Sequence, residues 1–217
     1  VRGPTLVDTP LGPAAVHADG PADGARGTLV LGHGAGGGVA SADLTAVTAS
    51  ASAAGWRVLR VEQPWRVAGK RIAPAPPRLD TAWSAVLDAL RPGLSRPLVL
   101  GGRSAGARVA CRTASAQGAD GVLALAFPLH PPGRPEKSRA AELTGAGVPL
   151  VVVQGQTDGH GRPGEVAAAL AGTATASVSA VPGDHSLLRA PELVAAAALS
   201  WLAAEPWRGR SSGRRRS

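Results

Sequence analysis

The stretch "LVLGGRSAGARVA" (residues 98–110) runs from an aliphatic, strand-like segment through two glycines and a serine into an alanine-rich run of helical composition. Within it, Gly102-Arg103-Ser104-Ala105-Gly106 matches G-x-S-x-G, a pattern whose small residues let a chain turn sharply from strand to helix and present the serine oxygen at the tip of the turn. A serine in this position has a plainer use as well, as an N-cap that accepts a hydrogen bond from the first turn of the helix. The two readings place different demands on the rest of the chain.

Working outward, short aliphatic runs recur at 28–32 (TLVLG), 56–62 (WRVLRVE), 97–102 (PLVLGG), 121–127 (GVLALAF), 149–155 (PLVVVQG) and 174–181 (ATASVSAV). Most are apolar throughout, which is how strands covered on both faces of a parallel sheet read. Helical segments lie between them, at 41–54, 79–90, 104–116, 164–171 and 191–204. This alternation predicts an α/β fold with a mostly parallel, doubly wound sheet and helices on both faces. The opening "TLVDTPLGPAAVHADG" (5–20) reads as a turn-containing hairpin and an antiparallel edge. The proline-rich 72–80 segment is expected to be a loop leading into a helix, and 128–138 another irregular connection. The interval between the fourth and fifth of these runs has room for a short helix but not for a lid domain.

The chain has 217 residues, enough for one ordinary domain with a real core. Its 44 % hydrophobic content comes mainly from Ala, Val and Leu, with one Phe and no Tyr or Met, so aromatic recognition surfaces are limited. Of the +8 net charge, five arginines lie in 208–217, leaving +3 for the rest. We therefore expect one domain over 1–207 and a basic, disordered tail over 208–217. That tail has no interleaved aromatics, so no specific nucleic-acid partner is expected. Cys111 is the single cysteine, which excludes an internal disulfide and cysteine-built metal clusters and fits a reducing compartment. With no signal-like start and no apolar run of membrane-spanning length, the expectation is a soluble cytoplasmic protein with no membrane partner. Oligomeric state is not legible.

A serine hydroxyl is a weak nucleophile near neutral pH and needs a histidine base, with an acid to orient it. His185, in "VPGDHSLL", follows the last strand-like run; Asp158, in "QGQTDGHG", follows the one before. Both fall on the rim where parallel strands end, with Ser104, and their chain order is Ser, Asp, His. Each has a bland alternative, Asp158 as a turn residue before Gly159 and His185 as a surface-loop histidine. His160 is a rival base, ranked as a rim residue; Asp184 and Glu165 are rival acids.

The loop "LVLGHGAGGG" (29–38) carries two chemistries. In an acyl hydrolase, the backbone N–H of Ala35, with Gly34 as the alternative, joins that of Ala105 to hold a developing oxyanion. The same residues contain Gly32-x-Gly34-x-x-Gly37, the spacing of a dinucleotide-binding turn, with Glu62 in the place of a ribose-binding acid. That rival gives no role to Ser104, Asp158 or His185, and a purely structural glycine loop is a third reading.

Taken with "GHGAGG", "WRVAGKRIAPAPPRLDTAW", "GGRSAGARVA", "FPLHPPGRPEK", "QGQTDGHG" and "GDHS", the chain resembles the α/β-hydrolase superfamily. More narrowly it is similar to small, lid-poor bacterial proteins labelled dienelactone-hydrolase-like, related to a testis-expressed hydrolase-like protein and a chromatin-complex subunit. The resemblance implies an α/β-hydrolase fold without a cap domain, with Ser104 as nucleophile, Asp158 as acid and His185 as base. It leaves the substrate open and includes relatives that serve as interaction subunits. Dienelactone hydrolases proper use a cysteine nucleophile, whereas this turn carries Ser104.

The expected activity is a carboxylesterase-like serine hydrolase acting on a small acyl substrate, with no metal or organic cofactor. The alternative is a hydrolase-shaped binding or scaffold protein with little turnover. Arg103, His130 and His160 are candidate substrate contacts; Arg103 also reads as an ion-pair residue and His130 as the organiser of a proline-rich loop. Trp65 and Trp83 read as packing more readily than as walls of the site.

Overall fold

A computed structural model describes residues 3–208. The expected tail at 208–217 therefore lies, apart from Arg208, outside the described residues. Eight strands form one sheet: β1 (Thr5–Val7), β2 (Ala14–Asp19), β3 (Thr28–Gly32), β4 (Arg57–Glu62), β5 (Leu98–Arg103), β6 (Gly121–Leu125), β7 (Leu150–Gly155) and β8 (Ala176–Val181). Their spatial order is β1-β2-β4-β3-β5-β6-β7-β8. β1 and β2 run antiparallel to their neighbours, and every pairing from β4 to β8 is parallel.

The apolar strands serve two cores at once. Leu29 and Leu31 of β3, Leu123 and Leu125 of β6, and Val151 and Val153 of β7 face one way, with the helices α1 (Ala42–Ala53) and α7 (Pro191–Ala204) covering them. Val30, Val122, Ala124 and Val152 face the other way, toward α3 (Pro76–Leu90), α4 (Ala105–Thr113), α5 (Ala140–Thr144) and α6 (Pro163–Ala169). Period-two alternation between two buried faces is what an unbroken apolar run needs in order to be satisfied. β8 closes the sheet as a half-exposed edge and reads accordingly, with serines interrupting its valines.

Two segments depart from expectation. The proline-rich 72–80 stretch is not loop throughout, since α3 begins at Pro76. Prolines are tolerated in a first helical turn, where the amide hydrogen has no intrahelical partner to lose. A four-residue helix, α2 (Pro64–Val67), also interrupts the connection after β4. Between β6 and β7 the chain forms only a short 3-10 turn and α5, so no cap domain covers the sheet there.

At the centre, β3, β5 and α4 approach more closely than side chains allow. A Cβ on Gly106 would lie 2.4 Å from the Gly32 carbonyl oxygen, and one on Gly102 would meet the same oxygen at 2.4 Å. Gly102 also has φ +153, and Ser104 follows at φ +52 and ψ −108, a strained conformation for a residue with a side chain. Gly106→Ala is expected to cost about 1–3 kcal/mol of stability by overpacking, read as a lower midpoint in urea unfolding.

Candidate active site

The β5–α4 turn answers the question raised by its sequence. Ser104 occupies the N-cap position of α4, yet its side chain makes no capping hydrogen bond. Its Oγ lies 2.9 Å from His185 Nε2. The other nitrogen of that ring, Nδ1, lies 2.8 Å from Asp158 Oδ2. A carboxylate only accepts, so Nδ1 carries the hydrogen and Nε2 is left as the acceptor for the serine proton. Asp158 and His185 come from the β7–α6 and β8–α7 connections, on the rim where β5 also ends.

Asp158 is held from three sides. Besides His185, Gln154 Nε2 donates to Oδ2 at 2.8 Å, and the His160 backbone N–H donates to Oδ1 at 2.8 Å. The same Nε2, fully buried, also lies 3.2 and 2.7 Å from the Phe127 and Gly161 carbonyls, so its two hydrogens are shared among three acceptors. Sequence reasoning overlooked Gln154. The available signal was a lone amide at the end of the otherwise apolar strand LVVVQG.

The rival groups are spent elsewhere. Asp184 Oδ1 accepts from Ser186 N and Oγ, at 2.9 and 2.6 Å, and does not reach the imidazole. Glu165 accepts from Arg162 N at 2.7 Å, at the start of α6, and faces His130 Nε2 at 3.3 Å. His130 otherwise donates from Nδ1 to Pro131 O at 2.9 Å, so it organises its own loop, the second of the two uses expected of it. His160 does join the site: its ring stacks 4.0 Å from that of His185, tilted by 35°. Burial, and then the neighbouring His185, push its imidazole below the ordinary value.

Arg103 was a candidate substrate contact, but its guanidinium is engaged within the protein. Nε faces Asp43 Oδ2 at 3.2 Å, and Nη2 donates to the His185 carbonyl at 3.0 Å. The Asp43 side chain is fully buried, so Arg103 is the charge that makes its burial tolerable. Asp43 gave no sequence signal beyond its place in the first turn of α1. Through these contacts Arg103, which precedes Ser104, joins α1 to the His185 loop.

The glycine loop is fixed by His33, which is 4 % exposed. Its Nε2 accepts from the Gln63 N–H at 3.1 Å, and its Nδ1 donates to the Gly34 carbonyl at 2.9 Å. Because carbonyl and amide hydrogen point oppositely across a trans peptide, holding Gly34 O sends the Ala35 N–H the other way. Ala35 and Ala105 line one narrow void of about 10 Å³, walled also by Trp65 and Trp83. Neither the Ala35 nor the Ala105 N–H donates to a backbone oxygen among the described residues. The two tryptophans are thus packing residues and walls at once.

The dinucleotide reading fares poorly on geometry. That motif opens directly into a helix whose N-terminus meets the pyrophosphate, whereas here α1 begins at Ala42, well beyond Gly37. Glu62 faces His17 of β2 at 3.7 Å. As for metals, Asp158, His160 and His185 bring one potential ligand atom each within 4.8 Å of one another. Both nitrogens of His185 are already engaged with Ser104 and Asp158, so an ion would have to displace that chain of hydrogen bonds. The Cys111 thiol is buried and pushed up to about 12, chiefly by desolvation, which makes it inert.

Comparison with known proteins bears on the family and the fold. Residues 25–196 match the alpha/beta hydrolase domain family, and the chain belongs to it. Among solved structures, it is similar to an alpha-beta serine hydrolase homologue from Coxiella burnetii, with 20 % identity and a TM-score of 0.73 over 91 % of this chain and 98 % of that one. It is also similar to an a/b serine hydrolase without lid from Xanthomonas campestris, at 20 % identity and TM-score 0.70, covering 91 % and 94 %. Est1E from Butyrivibrio proteoclasticus superposes at TM-score 0.76 with 15 % identity, covering 94 % and 99 %. At these identities the likeness is one of fold. No curated protein matches the chain.

Two outcomes follow from the buried polar groups. Gln154→Leu leaves the Asp158 carboxylate and two carbonyls short of a donor, and is expected to cost about 1.5–3 kcal/mol in urea unfolding. Burial holds the His33 imidazole below its ordinary value. The unfolded chain therefore takes up a proton, near pH 6.5, that the folded chain refuses, and stability is lost as pH falls through that value. In thermal melts from pH 8 to pH 5, the loss should be smaller for His33→Asn than for the parent, although the variant starts less stable at pH 8.

Proposed function

We propose that the protein is a carboxylesterase-like serine hydrolase that cleaves an ester or related acyl bond of a small substrate through an acyl-enzyme. The observation that carries this reading is the continuous chain from Ser104 Oγ to His185 Nε2, 2.9 Å, and from His185 Nδ1 to Asp158 Oδ2, 2.8 Å. His185 takes the hydroxyl proton as Oγ bonds to the acyl carbon. The carbonyl oxygen becomes an oxyanion, held by the N–H groups of Ala35, with Gly34 as the alternative donor, and Ala105. The bond to the leaving group then breaks, and His185 delivers the proton to it. Water repeats the sequence on the acyl-enzyme, releasing the acid and restoring the serine. Asp158 keeps the imidazole in the productive tautomer and balances its charge when protonated.

In this reading no cofactor takes part. The finer kinship with dienelactone-hydrolase-like proteins is part of the same proposal, supported by membership of the alpha/beta hydrolase family and by likeness to a lid-less serine hydrolase fold. A cytoplasmic location is proposed with it; what is observed is that no helix among the described residues is long and apolar enough to cross a membrane.

A fluorophosphonate probe tests the reading. It should label the wild type, fail on Ser104→Ala, and react at least about a hundredfold more slowly with His185→Ala, the scale of a lost general base. A folded wild type that stays unlabelled, and cleaves no member of an acyl-ester panel of varied chain length, would instead mark a hydrolase-shaped binding protein.

A further inference from the structure

Beside the proposed oxyanion donors, α2 and the segment that leads into α3 wall a groove of about 330 Å³. Gln63, Trp65 and Ala73 line both this groove and the void that Ala35 and Ala105 line, so the groove adjoins the residues of the proposed oxyanion donors. Its walls are apolar for most of their length, with Ile72 85 % exposed, and two cations, Lys70 and Arg78, complete the lining.

What marks this groove is four cations in one acid-free segment, although Arg57, Arg134, Lys137, Arg139, Arg162 and Arg189 elsewhere also lack a carboxylate within 4 Å among the described residues. Residues 63–79 contain no acid, and Arg66, Lys70, Arg71 and Arg78 have no carboxylate within 4 Å among the described residues. By contrast Arg60, Arg96, Arg103, Arg108 and Arg112 are each paired. Of the two acids that flank the segment, Asp80 is engaged by Arg112 at 2.6 and 2.8 Å and Glu62 faces His17 at 3.7 Å. A purely hydrocarbon arm would make no use of the two cations that line this groove.

Resting on the hydrolase reading, we propose that the substrate is an ester with an anionic group, carboxylate or phosphate, on the arm that occupies this groove, its apolar stem against Trp65 and Ile72 and its charge between Lys70 and Arg78. Both cations are exposed, so each contributes modestly and the gain is sensitive to salt. Together they select among esters that the reacting centre alone would treat alike.

The test compares kcat/KM for 4-nitrophenyl hexanoate with that for the same ester ending in a carboxylate or a phosphonate on the acyl chain. A second pair, phenyl hexanoate and 4-carboxyphenyl hexanoate, puts the charge on the leaving arm. The expected result is an advantage of about five- to tenfold for an anionic member at low salt, which shrinks at high salt and falls to about one in K70A/R78A. The better of carboxylate and phosphonate names the anion. Equal rates within every comparison, or an advantage that survives K70A/R78A, overturns the proposal. If no ester is cleaved at all, the hydrolase reading fails by itself, and calorimetry with uncleaved anilides decides the groove. Adipanilic acid must then bind wild type more tightly than hexananilide and lose that margin in K70A/R78A; equal binding, or none, overturns it.

Discussion

The structure depends on one close approach, the backbone of Gly32 against Gly102 and Gly106, where an added Cβ would come within 2.4 Å of a carbonyl oxygen. This contact sets how tightly β5 can turn into α4, and the tightness forces Ser104 to φ +52. A relaxed turn would let the serine cap its helix like any other N-cap. Held as it is, the hydroxyl reaches His185, and Ala35 and Ala105 line the same small void. The strain is local, and the two apolar cores packed on either side of the sheet sustain it.

Around that turn the loops are positioned by buried polar contacts as well as by apolar anchors such as Leu187 in the His185 loop. Arg103 reaches Asp43 on α1 and the carbonyl of His185, so the residue beside the serine also fixes the loop that carries the imidazole. Gln154 does the same for Asp158, joining the carboxylate to two carbonyls of neighbouring loops. His33 links the glycine loop to the end of β4 through a tautomer set by its two partners. Such contacts suit a site that must be held to a few tenths of an ångström, because a hydrogen bond is directional and a methyl contact is not. Their common weakness is that each leaves a buried polar group stranded when one member is removed.

Much of this was legible in advance for identifiable reasons. Unbroken runs such as LVLG and VVVQG can only be satisfied between two covered faces, and the observed strands fall within or one residue beyond the six expected segments. Ser104, Asp158 and His185 were legible because each follows a strand directly, and strand ends in a parallel sheet share one rim. The start of α3 was misplaced because two prolines read as loop although they fit a first turn. Gln154, Asp43 and the partnering of Arg103 were invisible or ambiguous, since their roles arise from contacts between residues far apart in the chain.

The sequence by itself determined the alternation of elements, the glycine-flanked serine and the chain order of three side chains. Those are properties of local composition and of spacing along a polymer. Only the tertiary structure decided that the serine oxygen meets His185 and not His160, that Asp158 and not Asp184 receives the far nitrogen, and that Arg103 is spent inside the protein. These choices turn on directions and distances of a few ångströms between separate loops, and such geometry exists only once the sheet has brought the loops together.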